Sequence, residues 1–166
     1  MNFIFRTFSL VALWAISAVA IAGGSAHGAG KAVPLNTSFG VQWTPVDWSE
    51  PTDRITECLG AARLPNGKVL GIATRDHLDA VNGRITSDYV MIVFSDTDWV
   101  YAQYTNIPAV YYPETNTASF FGPLKVVGGE GRFVGATGTL SLRTTVQFYP
   151  LPVATYDIKG VIKTAR

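Results

Sequence analysis

The sequence has few of the residues that metal and redox sites need. Its 166 residues include one cysteine, Cys58, and two histidines, His27 and His77. A single cysteine excludes an internal disulfide, so the fold has to depend on its apolar core. His77 lies between Asp76 and Asp79, but a lone histidine in a polar segment is more typical of a solvated residue than of a metal ligand. The sequence therefore predicts neither a metal nor another cofactor.

Several motifs of common enzyme classes are also missing. The chain has no G-x-S-x-G nucleophile elbow and no phosphate-binding loop with a lysine followed by serine or threonine. Gly129 and Gly131 begin a dinucleotide fingerprint, but Val134 stands where its third glycine is required. These absences argue against a triad hydrolase and against a nucleotide-binding enzyme.

A short apolar run lies near the start of the chain. It extends from Phe8 to Ala22, follows the basic Arg6 and ends in small residues through Ala26. A basic start, an apolar core of about 7 to 15 residues and a small-residue exit are typical of a secretory signal peptide. The run is shorter than the roughly 20 residues that cross a bilayer. We expect cleavage after Ala26, with Ala22 as the alternative, and hence a secreted or periplasmic protein that has no membrane segment after cleavage.

The remaining chain has no excess of charge of either sign. Because residues 1–26 contain Arg6 and no acid, 12 basic and 12 acidic side chains remain. A neutral chain lacks the basic surface with which proteins bind nucleic acids and anionic membranes. Neither is therefore expected as a partner.

Long segments with helical periodicity are absent, and the pattern is instead that of short strands. Pro65-Asn66-Gly67 separates two apolar runs and predicts a hairpin. Residues 85–94 are apolar on both faces, and residues 138–149 alternate strictly, while residues 76–84 look like a polar loop. About eight strands are expected, enough to close an all-β antiparallel barrel. The predicted organisation is a signal peptide at 1–26, a flexible segment at 27–35 and a barrel domain at 36–166.

Glycine is concentrated in the segment Lys125–Leu142, which reads KVVGGEGRFVGATGTLSL. Glycine adopts positive φ without steric cost, so this density predicts a tight connection between two strands. The residues assigned to this structural turn are Gly128, Gly129, Gly131, Phe133, Gly135 and Gly138.

This segment, together with Tyr156 and Gly160 in the last strand, resembles the allene oxide cyclase-like barrels, a superfamily that includes plant allene oxide cyclases and dirigent proteins. The resemblance covers the C-terminal third. The first half does not match the acidic and asparagine positions of the cyclases, so no catalytic residue is carried over from them.

The resemblance implies an eight-stranded antiparallel barrel, often a homotrimer, with an apolar cavity. Such a cavity would bind a small hydrophobic molecule and orient or cyclise it, which is an isomerase-like activity. The alternative is a non-enzymatic exported protein with a structural or interaction role. Function is expected in the cavity beside the glycine-rich connection and not in its glycines.

Two kinds of residue are candidates for the site. Glu57 lies within a predicted strand, where a carboxylate facing an apolar cavity could serve as a general acid or base. The simpler interpretation has Glu57 facing solvent and pairing with Arg63. Tyrosines are candidates for the cavity lining because each combines a broad apolar surface with one polar group; we assign Tyr89, Tyr101, Tyr104 and Tyr156 to this role.

Overall fold

Pairing between the first and last strands closes the sheet into a barrel. The computed structural model describes residues 30–149 and 151–165, with the backbone alone for Ser87 and Asp88. Each strand pairs antiparallel with the next, and the eighth pairs with the first. The prediction of an all-β barrel of about eight antiparallel strands is confirmed. The predicted signal peptide and His27 lie outside the described residues.

The strands follow one another along the chain with short connections. They are β1 (Ala32–Asp47), β2 (Arg54–Arg63), β3 (Val69–Asp79), β4 (Arg84–Val93), β5 (Trp99–Tyr112), β6 (Thr117–Glu130), β7 (Thr137–Gln147) and β8 (Val153–Lys163). A single 3-10 turn, Gly131–Phe133, is the only helical element among the described residues, and none of these residues forms a helix that could cross a membrane.

The boundaries of β1 and β3 differ from the sequence prediction, and β5 contains a bulge. β1 begins at Ala32, inside the segment 27–35 that we expected to be flexible, because this part of the strand is needed to pair with the end of β8. β3 runs on to Asp79, so most of the predicted polar loop is paired strand. β5 continues through Pro108, where the register with β6 shifts and Asn106 has a φ of 56°. A bulge of this kind accommodates a proline within a strand.

Alternation along each strand fills the interior with side chains. Phe39, Val41 and Trp43 of β1 point inward and are buried. In β4, Val90 and Ile92 are fully buried while Tyr89 on the opposite face is 54% exposed. The second apolar face of β4 therefore lies on the outer surface of the barrel.

The glycine-rich connection closes one end of the barrel. β6 ends at Glu130, the 3-10 turn follows, and the ring of Phe133 packs against Phe94 with their centroids 4.7 Å apart. Gly131 has a φ of 60°, and a Cβ atom there would collide with the carbonyl oxygen of Thr97. The connection thus needs glycine for its backbone conformation and for close approach to the β4–β5 turn.

We expect Gly131→Ala to lower the free energy of unfolding by about 3 kcal/mol, because it combines a strained φ with a steric clash. Gly67 in the β2–β3 turn is a matched control, since its φ is 82° but a Cβ atom there meets nothing. Gly67→Ala should cost about 1 kcal/mol, the penalty of the backbone conformation alone. Urea denaturation measures both, and equal losses would contradict the close approach at Gly131.

Candidate functional site

A buried carboxylate lies on the inner face of β3. Leu70, Ile72, Thr74 and Asp76 occupy alternate positions and all point into the barrel, and Asp76 is only 2% exposed. Its backbone pairs with Thr56 of β2. Charged side chains are seldom buried to this extent unless other groups satisfy them.

Hydroxyl groups from three other strands hold this carboxylate. Tyr156 Oη of β8 donates to Asp76 Oδ2 at 2.9 Å, and Tyr104 Oη of β5 donates to Asp76 Oδ1 at 3.1 Å. Thr56 Oγ1 of β2 makes a longer contact to Oδ2 at 3.5 Å. Cys58 Sγ lies 3.5 Å from Tyr156 Oη. We call Asp76, Tyr104, Tyr156, Thr56 and Cys58 the polar cluster.

Asp76 has no ion-pair partner within the part of the chain that the structure describes. The salt bridges there join Arg75 to Glu57, His77 to Asp53 and Arg132 to Asp98, and all three lie at the surface. The carboxylate of Asp76 is therefore held by hydroxyl groups and a 4.0 Å contact from Cys58 Sγ, and not by an ion pair.

A small cavity of about 40 Å³ opens onto the polar cluster. Its lining is mainly apolar and comes from seven of the strands or their ends: Trp43, Thr56, Asp76, Leu78, Ile85, Ala109, Ala118, Phe120, Val146 and Phe148. Asp76 and Thr56 provide the polar groups on its wall. An apolar space with a few polar groups is the usual form of a small-molecule site.

The cavity lies at the opposite end of the barrel from the glycine-rich connection. Its lining residues fall near the end of β1, β3, β5 and β7 and near the start of β2, β4 and β6, and in an antiparallel barrel these positions share one end. None of the lining residues belongs to 125–142. The cavity next to Asp76 is therefore a different place from the one expected beside the glycine-rich connection, where Phe133 and Phe94 pack against each other inside the barrel.

Aromatic rings surround the cavity. Trp43 makes edge contacts with Trp48 and Phe148, at centroid distances of 5.3 and 5.5 Å. The guanidinium group of Arg54 lies 4.8 Å from the ring centroid of Trp48, and the buried Arg54 Nε has no hydrogen-bond partner among the described residues. Trp48 and Arg54 do not line the cavity, but Trp48 contacts the lining residue Trp43 and Arg54 contacts Trp48, and we call this pair the rim.

Two aspartates fix the turns at this end. The backbone and then the side chain of Ser49 donate hydrogen bonds that lower the pKa of Asp47. The side-chain amide of Asn82, followed by its backbone N–H, lowers the pKa of Asp79 in the same way. Each carboxylate therefore keeps its negative charge at a lower pH than an ordinary aspartate does.

The four predicted tyrosines are divided between the two faces of the barrel. Tyr104 and Tyr156 lie in the polar cluster and are 3% and 0% exposed. Tyr101 lies on the outer face, where its Oη accepts a hydrogen bond from Trp99 Nε1, and Tyr89 is exposed. Tyr101 and Tyr104 are an odd number of positions apart in one strand, so alternation directs them to opposite faces.

Glu57 lies on the outer face of β2 and does not reach the cavity. Its side chain is 43% exposed, and its Oε1 is 3.3 Å from Arg75 Nη1 of the neighbouring strand. The expected partner was Arg63 of its own strand, but the cross-strand register places Arg75 directly opposite Glu57. Glu57 is therefore a surface ion-pair residue in this structure, and Asp76 is the buried carboxylate among the side chains that the structure describes.

The sequence contained a signal for Asp76 that our prediction missed. Alternation from Leu70 through Ile72 and Thr74 continues without a break to Asp76 and Leu78. We ended the strand at Arg75 because polar residues follow it. His77, which is on the outer face and forms a 2.8 Å contact with Asp53, marks the true continuation of the strand.

The described residues include no group of three or more potential ligands that could hold a metal ion.

We expect Tyr156→Phe to lower the free energy of unfolding by about 2 to 3 kcal/mol, because it removes a hydrogen bond to a buried carboxylate. Tyr111→Phe is the control, since Tyr111 Oη also donates a hydrogen bond, to Asn116 Oδ1, but belongs to a side chain that is 56% exposed. This control should change stability by less than about 0.5 kcal/mol. Thermal and urea denaturation measure both, and similar values would contradict the role of Tyr156 in holding Asp76.

No family model matches the chain, and no curated protein or solved structure matches it. The resemblance to the allene oxide cyclase-like barrels therefore depends on the C-terminal residues quoted above. The polar cluster and the cavity carry the functional argument.

Proposed function

We propose that the protein is an exported barrel that binds a small hydrophobic molecule in the cavity next to Asp76. The observation that carries this proposal is a mainly apolar cavity with one buried carboxylate on its wall. A closed barrel that only needed stability would gain by filling this space, since an internal void costs packing energy. The space and the carboxylate together favour a ligand.

The physical basis of binding is the removal of apolar surface from water. Trp43, Ile85, Phe120 and Phe148 offer the ligand an apolar wall, and burial is worth about 25 cal/mol per Å² of apolar surface. Asp76 would fix the orientation of the ligand through one polar contact. A molecule held in one orientation is the starting point for the cyclising activity that the resemblance implies, in which holding a flexible substrate in a reactive shape lowers the barrier.

A second candidate function is a structural or interaction role without catalysis. The outer face of the barrel exposes large apolar side chains, among them Leu59, Val69 and Phe121, which are 62%, 51% and 61% exposed. Exposed apolar surface is typical of contact with another protein or another copy of the chain. The homo-oligomer, a trimer by resemblance, belongs to this proposal and can coexist with ligand binding.

Export is tested by mass spectrometry of the protein from its own producer. We expect a chain that begins near His27, since the residues before it have the pattern of a signal peptide. An intact N-terminus on a membrane-bound protein would contradict export.

Ligand binding is tested by filling the cavity. Ala118→Leu adds three carbon atoms to a residue of the lining, so we expect 1-propanol, used as an apolar probe, to bind at least about tenfold more weakly than to the wild type. Ala61→Leu makes the same change at an exposed position on the outer face of β2 and should leave binding unchanged. NMR titration monitors amides next to Asp76. Equal effects of the two variants, or no binding by the wild type, would argue for the structural role.

A further inference from the structure

We propose that the ligand of this cavity carries an ammonium group that binds Asp76, so that the protein recognises a small apolar amine. This inference rests on the proposed function, because it requires that the cavity is a ligand site. It adds the chemical class of the ligand to that function.

The first argument is that Asp76 is a buried carboxylate without a cation. A carboxylate has about four lone-pair sites for hydrogen bonds. On Oδ2, Tyr156 fills one site, and Thr56 Oγ1 and Cys58 Sγ make longer contacts at 3.5 and 4.0 Å. On Oδ1, the only hydrogen bond among the described residues comes from Tyr104. No lysine, arginine or histidine of residues 30–149 and 151–165 forms a salt bridge with it. Asp76 lines the cavity, so a donor placed there can reach the remaining acceptor sites.

The second argument is the aromatic character of the walls. Trp43, Phe120 and Phe148 line the cavity, and the ring of Phe120 lies 6.0 Å from Tyr104 and 6.2 Å from Tyr156. The faces of aromatic rings attract cations by their quadrupole, and protein sites for ammonium groups commonly combine such rings. A carboxylate surrounded by aromatic rings suits an organic cation better than a neutral or anionic molecule.

The third argument is the balance of charge around the opening. The acidic residues at this end of the barrel are Asp47, Glu50, Asp53, Asp79 and Glu114, and its basic residues are Arg54, Arg84 and His77, among the side chains that the structure describes. Acids that outnumber bases at a cleft raise the local concentration of cations. The lowered pKa values of Asp47 and Asp79 keep two of these acids ionised.

Arg54 is the one basic group whose position opposes this inference. Its backbone pairs with Leu78, two residues closer to the opening than Asp76, and its guanidinium group stacks on Trp48. An ammonium group in contact with Asp76 would be attracted at hydrogen-bond distance, whereas the guanidinium group of Arg54 is held against the ring of Trp48. An anionic ligand would instead be attracted by Arg54 and repelled by Asp76.

The size of the cavity limits the part of the ligand that it can enclose. A buried water needs about 10 to 15 Å³ of such space, so the 40 Å³ present has room for an ammonium group and a short alkyl chain. A longer ligand would extend out of the cavity toward Trp48.

The test compares propylamine, 1-propanol and propionate, three probes of nearly the same size that differ in charge. NMR titrations of the full mature protein at neutral pH should show propylamine binding at least about tenfold more tightly than 1-propanol, because a hydrogen bond to a charged group is the stronger one. Propionate should bind most weakly. If 1-propanol binds as tightly as propylamine, or if propionate binds most tightly, the proposed ammonium ligand is wrong while the cavity remains a binding site. Binding of none of the three would overturn the proposed function and this inference with it.

Asp76→Asn separates the carboxylate from the rest of the cavity. This variant should lose the preference for propylamine over 1-propanol. Asp96→Asn makes the same change in the exposed turn between β4 and β5, at the other end of the barrel, and should keep the preference. Melting temperatures show whether each variant is folded. Should Asp76→Asn not fold, the comparison of the three probes on the wild type still decides the question.

Discussion

The pairing of β1 with β8 is the constraint on which the rest of the structure depends. It runs from Ala32 opposite Lys163 to Gln42 opposite Val153, and it leaves the barrel without a free strand edge. Once the sheet is closed, alternate residues along a strand point into the barrel interior, which is largely shielded from water. The character of each inward residue is then decided by its neighbours on other strands, and an error of one position in register would exchange core and surface.

Asp76 shows what this constraint costs and what it makes possible. Alternation in β3 directs the carboxylate inward, where losing its hydration is expensive unless hydrogen bonds replace it. The phenol groups of Tyr104 and Tyr156 come from strands far apart in sequence, and closure alone brings them to the same carboxylate. Such a cluster contributes less to stability than an apolar core of the same volume would. Its presence at the wall of a cavity is therefore better explained by binding than by folding.

Alternation made much of the barrel predictable from sequence. The hairpin around Gly67, the strict pattern of β7 and the inward face of Phe39 and Trp43 all follow from local rules of turn chemistry and period-2 patterning. The site was less predictable, because the partners of Asp76 are set by the register between strands and not by spacing along one of them. Glu57 illustrates the same limit, since the sequence left its face open between cavity and solvent, and its partner, Arg75, depended on the pairing of β2 with β3.

The two ends of the barrel differ because of the sizes of their inward side chains and not because of the backbone. At one end, Phe133 and Phe94 close the interior, and the glycines of the connection allow the chain to approach closely enough for this. At the other end, the inward or lining residues of β5 and β6 include Ala109 and Ala118, which leave space beside Phe120. A cavity made by small side chains can change its shape by substitution while the hydrogen-bonded barrel stays intact. The barrel therefore supplies a stable frame, and a few residues around Asp76 determine which molecule fits.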